Sequence, residues 1–362
     1  MCRPEASWLS ELLGEVLLSA RAALITGLAG LKLSGEERAF LAETRPAGII
    51  LFARNLESHD QIRRLVTDAR DAIGDERVLV LIDQEGGRVQ RLRPPLGRAL
   101  PPASAYASLH AIDPEAASRA AWLVARLLAD DLTALGINTD CAPVLDLPVA
   151  GAHEIIGDRA YGRTVGSVVA LGRVVAEGFM AGGVIPVIKH IPGHGRATAD
   201  SHLSLPVVTT PRAELEATDF APFKALRGMP TAMTAHVVFS DLDPAHPAST
   251  SGLVTAEIIR GHIGFDGLLM SDDLGMQALT GTMRHRAEAV ISAGSDVALH
   301  CSGNLAEMRD AAAGVPVLGG DAERRFETAM RICRNRTAFD EQAALAALDR
   351  VLAHHAASAE SV

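Results

Sequence analysis

The chain of 362 residues contains few cysteines and no excess of positive charge. Its four cysteines (Cys2, Cys141, Cys301 and Cys333) lie far apart and form no CxxC pair. We therefore expect free thiols in a reducing compartment, and a cytoplasmic location, rather than a disulfide scaffold. The formal net charge of −10 disfavours binding to nucleic acid or to an anionic membrane surface, because both require a basic face. A small or neutral ligand is the better expectation.

Long apolar runs and nucleotide-binding fingerprints are also missing. Residues 12–30 (LLGEVLLSARAALITGLAG) are mostly apolar, but Glu15 and Arg21 interrupt them, so we predict neither an export signal nor a membrane span. No GxGxxG or GxxxxGK[ST] motif follows the first predicted strand. A dinucleotide-binding or P-loop protein therefore loses its main support.

The residues that are present alternate between two patterns. Short apolar runs such as AGIILF, VLVLID, GVIPVIKH and GLLMSDDL are typical of buried parallel strands, and the stretches between them place apolar residues three or four apart, as amphipathic helices do. Eight such units predict a (β/α)8 barrel of the TIM type. The 48% apolar composition suffices for one large core. We therefore predict a single catalytic domain over residues 1–362, with C-terminal helices from about Asp321 packed on the barrel.

Polar residues follow most of the predicted strands at their C-terminal ends. They are Asp83, Asp146, Lys189 with His190, His236, Asp272 with Asp273, and His300. Barrel enzymes build their active sites at this face, whereas an open sheet concentrates its ligands at one switch point. The distribution therefore favours a barrel enzyme.

The segment 189–206 (KHIPGHGRATADSHLSLP) is rich in histidine and can be read as a metal site or as a proton-transfer device. His190 and His194 have the spacing of a zinc-binding pair on a helix. The proline and glycines around them break any helix, and no HExxH base is present. We therefore predict no metal and no cofactor.

Two carboxylate motifs favour proton transfer instead. In an extended loop Asp200 and His202 point the same way, so the carboxylate can orient the imidazole as an acid/base dyad. Asp272 directly follows an apolar strand, where a carboxylate can attack an electrophilic carbon. Its neighbour Asp273 has the position of a helix N-cap.

The motif LIDQEGGRVQRL suggests a polyol-binding pocket. Asp83 ends the strand, two glycines let backbone approach a ligand, and Arg88 and Arg91 can present planar donor forks. Carboxylates accept hydrogen bonds from hydroxyls, and guanidinium groups donate them. The alternative is an Asp–Arg ion pair that only closes the loop.

With these motifs in hand, the sequence resembles the single-domain bacterial β-N-acetylglucosaminidases of glycoside hydrolase family 3. The resemblance runs from about Ile25 to about His300 through GIILFARN, DQEGGRVQRL, IIGDRAYGR, KHIPGHG, DSH, AHVVF and SDDLGM, in the family's order. It implies Asp272 as nucleophile and Asp200 with His202 as the acid/base. It also implies sugar binding by Asp83, Arg91, Arg159, Lys189 and His190.

The same resemblance implies a retaining, exo-acting enzyme that removes terminal β-linked N-acetylglucosamine (GlcNAc) without a cofactor. Its implied substrates are muropeptide-derived disaccharides of peptidoglycan recycling, in which GlcNAc is linked to 1,6-anhydro-N-acetylmuramic acid. We expect a monomer with this carbohydrate as its partner. The alternatives are a phosphorylase on the same scaffold, a β-glucosidase, a metal-dependent hydrolase and a non-catalytic sugar-binding protein.

Overall fold

The computed structural model describes residues 20–197, 199, 201 and 204–359, with side chains described as far as residue 350. Asp200 and His202, the predicted acid/base pair, lie outside the described residues. The predicted nucleophile and all five predicted sugar-binding residues lie within them.

Eight parallel strands form a closed barrel in which each strand pairs with its neighbours in the chain and the last pairs with the first. The strands are β1 (Ala22–Gly27), β2 (Pro46–Leu51), β3 (Leu79–Ile82), β4 (Thr139–Asp140), β5 (Ile185–Ile191), β6 (Thr231–Thr234), β7 (Leu268–Asp273) and β8 (Val297–His300). This order confirms the predicted (β/α)8 barrel.

Helices separate the strands and form the outer layer. The α-helices are α1 (Gly35–Thr44), α2 (His59–Ile73), α3 (Ala103–His110), α4 (Pro114–Thr133), α5 (Val165–Ala181), α6 (Arg212–Ala217), α7 (Ala221–Ala225), α8 (Met283–Ser292), α9 (Leu305–Ala312), α10 (Gly320–Met330) and α11 (Glu341–Ala359). A π-helix spans Val254–Ile263, and short 3-10 turns lie at Ala53–Asn55, Gly157–Arg159, Ala248–Thr250 and Arg331–Arg334. None of the helices in the described part of the chain is long and apolar enough to cross a membrane.

Helix α2 shows how the sequence sets these elements. Its N-cap Ser58 accepts a hydrogen bond from the backbone N–H of Gln61, and the helix ends where Gly74 adopts a left-handed conformation (φ 71°). Its apolar residues recur three or four apart and are buried in the layer between barrel and helices. The amphipathic pattern therefore docks the helix on the outside of the sheet.

Apolar side chains fill both sides of the barrel wall. Alternate strand residues point outward against the helices, and the others, such as Ile25, Leu81 and Met270, fill the barrel interior. Phe326 and Met330 of α10 belong to the interior cluster.

Helix α11 packs on α4 through a separate cluster of Leu123, Leu127, Ala344 and Ala347. The predicted packing of C-terminal helices on the barrel is confirmed.

Strand β4 is shorter than the apolar run GINTDCAPVLDL predicts. Pro143 has no N–H to donate, and it follows the strand closely. The chain rejoins the sheet as a single bridge between Val144 and Lys189, and the N–H of Leu145 donates to the Lys189 carbonyl at 2.7 Å. This second contact brings the residue that follows, Asp146, to the mouth of the barrel.

A small antiparallel hairpin, Gln84–Gly86 with Val89–Gln90, follows β3 directly. It turns through Gly86 and Gly87, both at positive φ (98° and 56°). A Cβ at Gly86 would lie 2.4 Å from the Pro101 carbonyl oxygen, so only glycine fits there. The hairpin carries the DQEGGRVQR motif over the C-terminal end of the barrel.

Candidate active site

A cavity of about 320 Å³ opens at the C-terminal end of the barrel. Its apolar residues include Ile50, Met233 and Leu299, which belong to the interior core, so the cavity lies directly on that core. Its charged and polar lining consists of Asp83, Glu85, Arg88, Arg91, Arg159, Lys189, His190, Asp272 and Asp273. The structure thus brings together the predicted nucleophile and all five predicted sugar-binding residues.

Asp83 lies between two cations at the end of β3. One carboxylate oxygen accepts from Arg91 Nη2 at 2.9 Å, and the other accepts from Lys189 Nζ at 3.1 Å. Burial alone would raise the pKa of Asp83, but the charges of Lys189 and Arg91 offset burial and hold it well below its usual range. Asp83 is therefore an ionised acceptor, with an arginine and a lysine oriented beside it.

Glu85 completes this cluster and was missed by the sequence prediction. Its carboxylate accepts hydrogen bonds from Nε and Nη2 of Arg159, each at 2.8 Å, and forms a salt bridge with Lys189 Nζ at 2.7 Å. Burial opposes ionisation, but these two cations lower the pKa of Glu85 to about 2. A signal for it was present: in extended backbone, residues two apart face the same side, so Glu85 follows Asp83 into the pocket.

His190 is oriented by Asp146. Its Nδ1 lies 2.6 Å from Asp146 Oδ2, which leaves Nε2 directed away from this contact. Asp146 also accepts from the backbone N–H of His194 at 2.7 Å. Burial would raise the Asp146 pKa, yet His190 and these hydrogen bonds lower it overall. Sequence reasoning placed Asp146 at a strand end but did not identify it as the partner of His190.

Arg88 closes a loop instead of presenting a free donor fork. Its Nε donates to Asp158 at 2.7 Å, and Nη2 donates to the carbonyl oxygens of Glu154 and Ile155 at 2.8 and 2.7 Å. The alternative for the LIDQEGGRVQRL motif is an Asp–Arg ion pair that only closes the loop. Arg88 makes such a pair with Asp158, whereas Arg91 pairs with Asp83 inside the cavity.

The two adjacent acids at the end of β7 have different environments. Asp273 accepts backbone N–H bonds from Gly275 and Cys301 through Oδ1, both at 3.0 Å, so it caps a turn and not a helix. Both acids line the cavity, and Asp272 Oδ1 accepts from the Asp273 N–H at 2.8 Å. Asp273 Oδ1 thus holds the loop, and Asp272 stays the candidate nucleophile that the resemblance implies.

Ser201, which separates Asp200 from His202 in the sequence, is described and is buried. Its Oγ lies 3.1 Å from Nε2 of His194, and its carbonyl accepts from the Ala278 N–H at 3.3 Å. Ser201 is therefore hydrogen-bonded both to His194 and to the turn that follows β7.

The remaining strand-end histidines have structural partners. His236 bonds Ser249 Oγ through Nδ1 at 2.6 Å and the Asp273 carbonyl through Nε2 at 3.1 Å, and burial lowers its pKa. Nε2 of His300 lies 3.2 Å from Oε2 of Glu307. Among the described residues, no group of three or more histidines, cysteines or acids is arranged to hold a metal ion.

The fold and the cavity together define a (β/α)8-barrel protein with a pocket of ionised acids and oriented donors, suited to a polyol. Residues 11–334 match the glycosyl hydrolase family 3 N-terminal domain. The chain therefore belongs to glycoside hydrolase family 3 and is a glycoside hydrolase.

Similar proteins agree with this assignment over most of the chain. The beta-hexosaminidase of Alkalilimnicola ehrlichii is 42% identical over 283 residues, covering 77% of this chain and 80% of that protein. The beta-hexosaminidase of Xylella fastidiosa is 38% identical over 313 residues, covering 85% and 90%. NagZ from Neisseria gonorrhoeae, solved in complex with N-trifluoroacetyl-D-glucosamine, is 32% identical with a TM-score of 0.81, covering 92% of this chain and 98% of that one.

Proposed function

We propose that this chain is a retaining, exo-acting β-N-acetylglucosaminidase. The observation that carries the proposal is that Asp272 shares one cavity with Asp83, Glu85, Arg91, Arg159, Lys189 and His190. A volume of about 320 Å³ is at the small end for ligand pockets, which suits one terminal sugar better than a longer chain. The beta-hexosaminidase names of the relatives and the N-acylglucosamine bound to NagZ support GlcNAc as that sugar.

In this proposal the ionised carboxylates accept hydrogen bonds from the sugar hydroxyls, and Arg91, Arg159 and Lys189 donate to its oxygens. His190, whose Nδ1 contacts Asp146, meets the sugar through Nε2. Asp272 attacks the anomeric carbon and forms a covalent glycosyl-enzyme intermediate. His202, oriented by Asp200, protonates the departing oxygen and then deprotonates the water that hydrolyses the intermediate. Two displacements at the same carbon return the β configuration.

We further propose that the natural substrate carries GlcNAc linked to 1,6-anhydro-N-acetylmuramic acid, as in muropeptides of peptidoglycan recycling. This part rests on the resemblance to single-domain family members. A cytoplasmic location, a monomeric state and a single catalytic domain belong to the same proposal.

A comparison of two chromogenic substrates tests the sugar assignment. We expect cleavage of the p-nitrophenyl β-N-acetylglucosaminide and much slower cleavage of the matching β-glucoside. Adding phosphate should neither speed turnover nor yield a sugar 1-phosphate. Faster cleavage of the glucoside would contradict the GlcNAc assignment, and a sugar 1-phosphate product would identify a phosphorylase.

A further inference from the structure

One buried carboxylate beside the cavity takes no part in the mechanism above. Asp140 ends β4, between β3 and β5, and is 0% exposed. Its Oδ1 accepts from the backbone N–H of Gln84 at 3.0 Å, whereas Oδ2 has no hydrogen-bond partner among the described residues. Burying a carboxylate with an unpartnered oxygen costs far more when the group is ionised than when it is neutral. The geometry therefore favours a neutral acid.

Gln84 links Asp140 to the residues that face the cavity. It stands between Asp83 and Glu85 in the chain, and its backbone N–H is the group that Asp140 holds. Its side-chain Oε1 accepts from the backbone N–H of Arg91 at 2.9 Å. The Asp140–Gln84 contact thus fixes the backbone that carries two acids and one arginine of the cavity.

The charges around Asp140 also oppose its ionisation. The ionisable groups that interact with it electrostatically are Lys189 from β5, Asp83 and Glu85 from the segment after β3, its neighbour Cys141, and Tyr161 from the loop after β4. The one cation of this set, Lys189, is already shared by Asp83 and Glu85 at 3.1 and 2.7 Å. Burial, aided by these two carboxylates and opposed by the Gln84 N–H and Lys189, raises the pKa of Asp140 to about 8.

We propose that Asp140, in its neutral form, is a positioning residue that holds the hairpin after β3 in place for sugar binding. Ionisation of Asp140 weakens sugar binding. The inference rests on the proposed function, because it takes Asp83, Glu85 and Arg91 as sugar ligands. Once ionised, Asp140 repels the two neighbouring carboxylates and competes with them for Lys189. Affinity for the sugar should therefore fall as the pH rises through the pKa of Asp140.

Calorimetric titration with GlcNAc at about pH 6 and about pH 9 tests this in the wild type, Asp140→Asn and Asp140→Ala. One pH unit above its pKa about one tenth of Asp140 is neutral, so the wild-type Kd should rise about 10-fold between the two pH values. Asp140→Asn cannot ionise and keeps a carbonyl acceptor for Gln84, so its Kd should change little. Asp140→Ala lacks that acceptor and should bind about 10-fold more weakly than Asp140→Asn at both pH values.

Asp131→Asn is the matched control, because Asp131 lies on α4 and pairs with Arg98 outside the barrel interior. It should keep the wild-type ratio of the two Kd values, with circular dichroism confirming that every variant is folded. Equal ratios in the wild type and Asp140→Asn would overturn the inference, as would equal affinities of the Asn and Ala variants at pH 6. If the wild type bound no GlcNAc at either pH, the proposed function itself would be contradicted, and the inference with it.

Discussion

At the scale of single residues, Asp272 and Asp273 are adjacent and chemically identical, and only their partners distinguish them. Both acids line the cavity, but Asp273 Oδ1 accepts two backbone N–H bonds that close the turn after β7, whereas Asp272 Oδ1 accepts from the N–H of Asp273. The sequence favours Asp272 because it comes first after the apolar run that predicts the strand, although both acids lie within β7. The Cys301 partner of Asp273 lies on the segment after β8, so no local pattern could reveal it.

Substituting the two acids separately should expose this difference. Asp272→Asn should lower kcat by at least about 10³-fold because the amide is a poor nucleophile. Asp273→Asn keeps a carbonyl oxygen for Gly275 and Cys301 and should retain most activity. Initial rates with a p-nitrophenyl β-N-acetylglucosaminide measure both. The reverse order of effects in two folded variants would assign the nucleophile to Asp273.

The acid/base assignment is tested through the leaving group. His202→Ala should slow substrates with poor leaving groups about 10²- to 10⁴-fold, and the loss should shrink as the leaving-group pKa falls. Asp200→Asn should give a smaller defect of the same kind, because the imidazole remains while its orienting charge is lost. A series of aryl glycosides measures the dependence. An equal loss with every substrate would make His202 a binding or structural residue.

At the scale of elements, strand ends and the hairpin after β3 account for what sequence reasoning found and what it missed. Short apolar runs, separated by helical stretches, predict where each strand ends. They therefore also predict that Asp83, Lys189 and Asp272 lie at the barrel mouth. Pairings between distant elements are not encoded in any local pattern. The contacts of Asp146 with His190 and of Glu85 with Arg159 span 44 and 74 residues and require the closed barrel.

Glu85 provides a test at this scale. Glu85→Gln removes the charge that receives Arg159 and Lys189, so both cations lose their orientation toward the sugar. The loss of a charged hydrogen-bond partner corresponds to about 1.5–3 kcal/mol, so KM should rise about 10- to 100-fold. Glu154→Gln is the control, because Glu154 is exposed on the neighbouring loop. An unchanged KM in Glu85→Gln would remove Glu85 from the sugar site.

At the scale of the whole molecule, closing the barrel buries groups that would be solvated in the unfolded chain. His194 is 3% exposed, and its Nδ1 has no hydrogen-bond partner among the described residues. Burial, reinforced by His190, lowers the pKa of His194 to about 4. The sequence could place this histidine in a loop, but the degree of its burial depends on packing that involves Asp146 and Ser201.

This burial predicts an acid-sensitive fold. The unfolded chain binds a proton at His194 below about pH 6.5, whereas the native protein does so only below about pH 4, so stability falls as the pH drops through this window. The loss from this residue should be about 3 kcal/mol. Urea unfolding at both ends of the window should show a shallower pH dependence in His194→Gln than in the wild type. Parallel curves would exclude His194 as a source of acid sensitivity.

The central claim, that Asp272 forms a covalent bond to the sugar inside this cavity, is tested most directly by trapping the intermediate. A fluorinated N-acetylglucosamine analogue with a good leaving group slows hydrolysis of the intermediate more than its formation. Mass spectrometry of the treated protein should show one added sugar, and peptide mapping should place it on Asp272. A protein that turns over the chromogenic substrate yet carries no sugar, or carries it on another residue, would contradict the account.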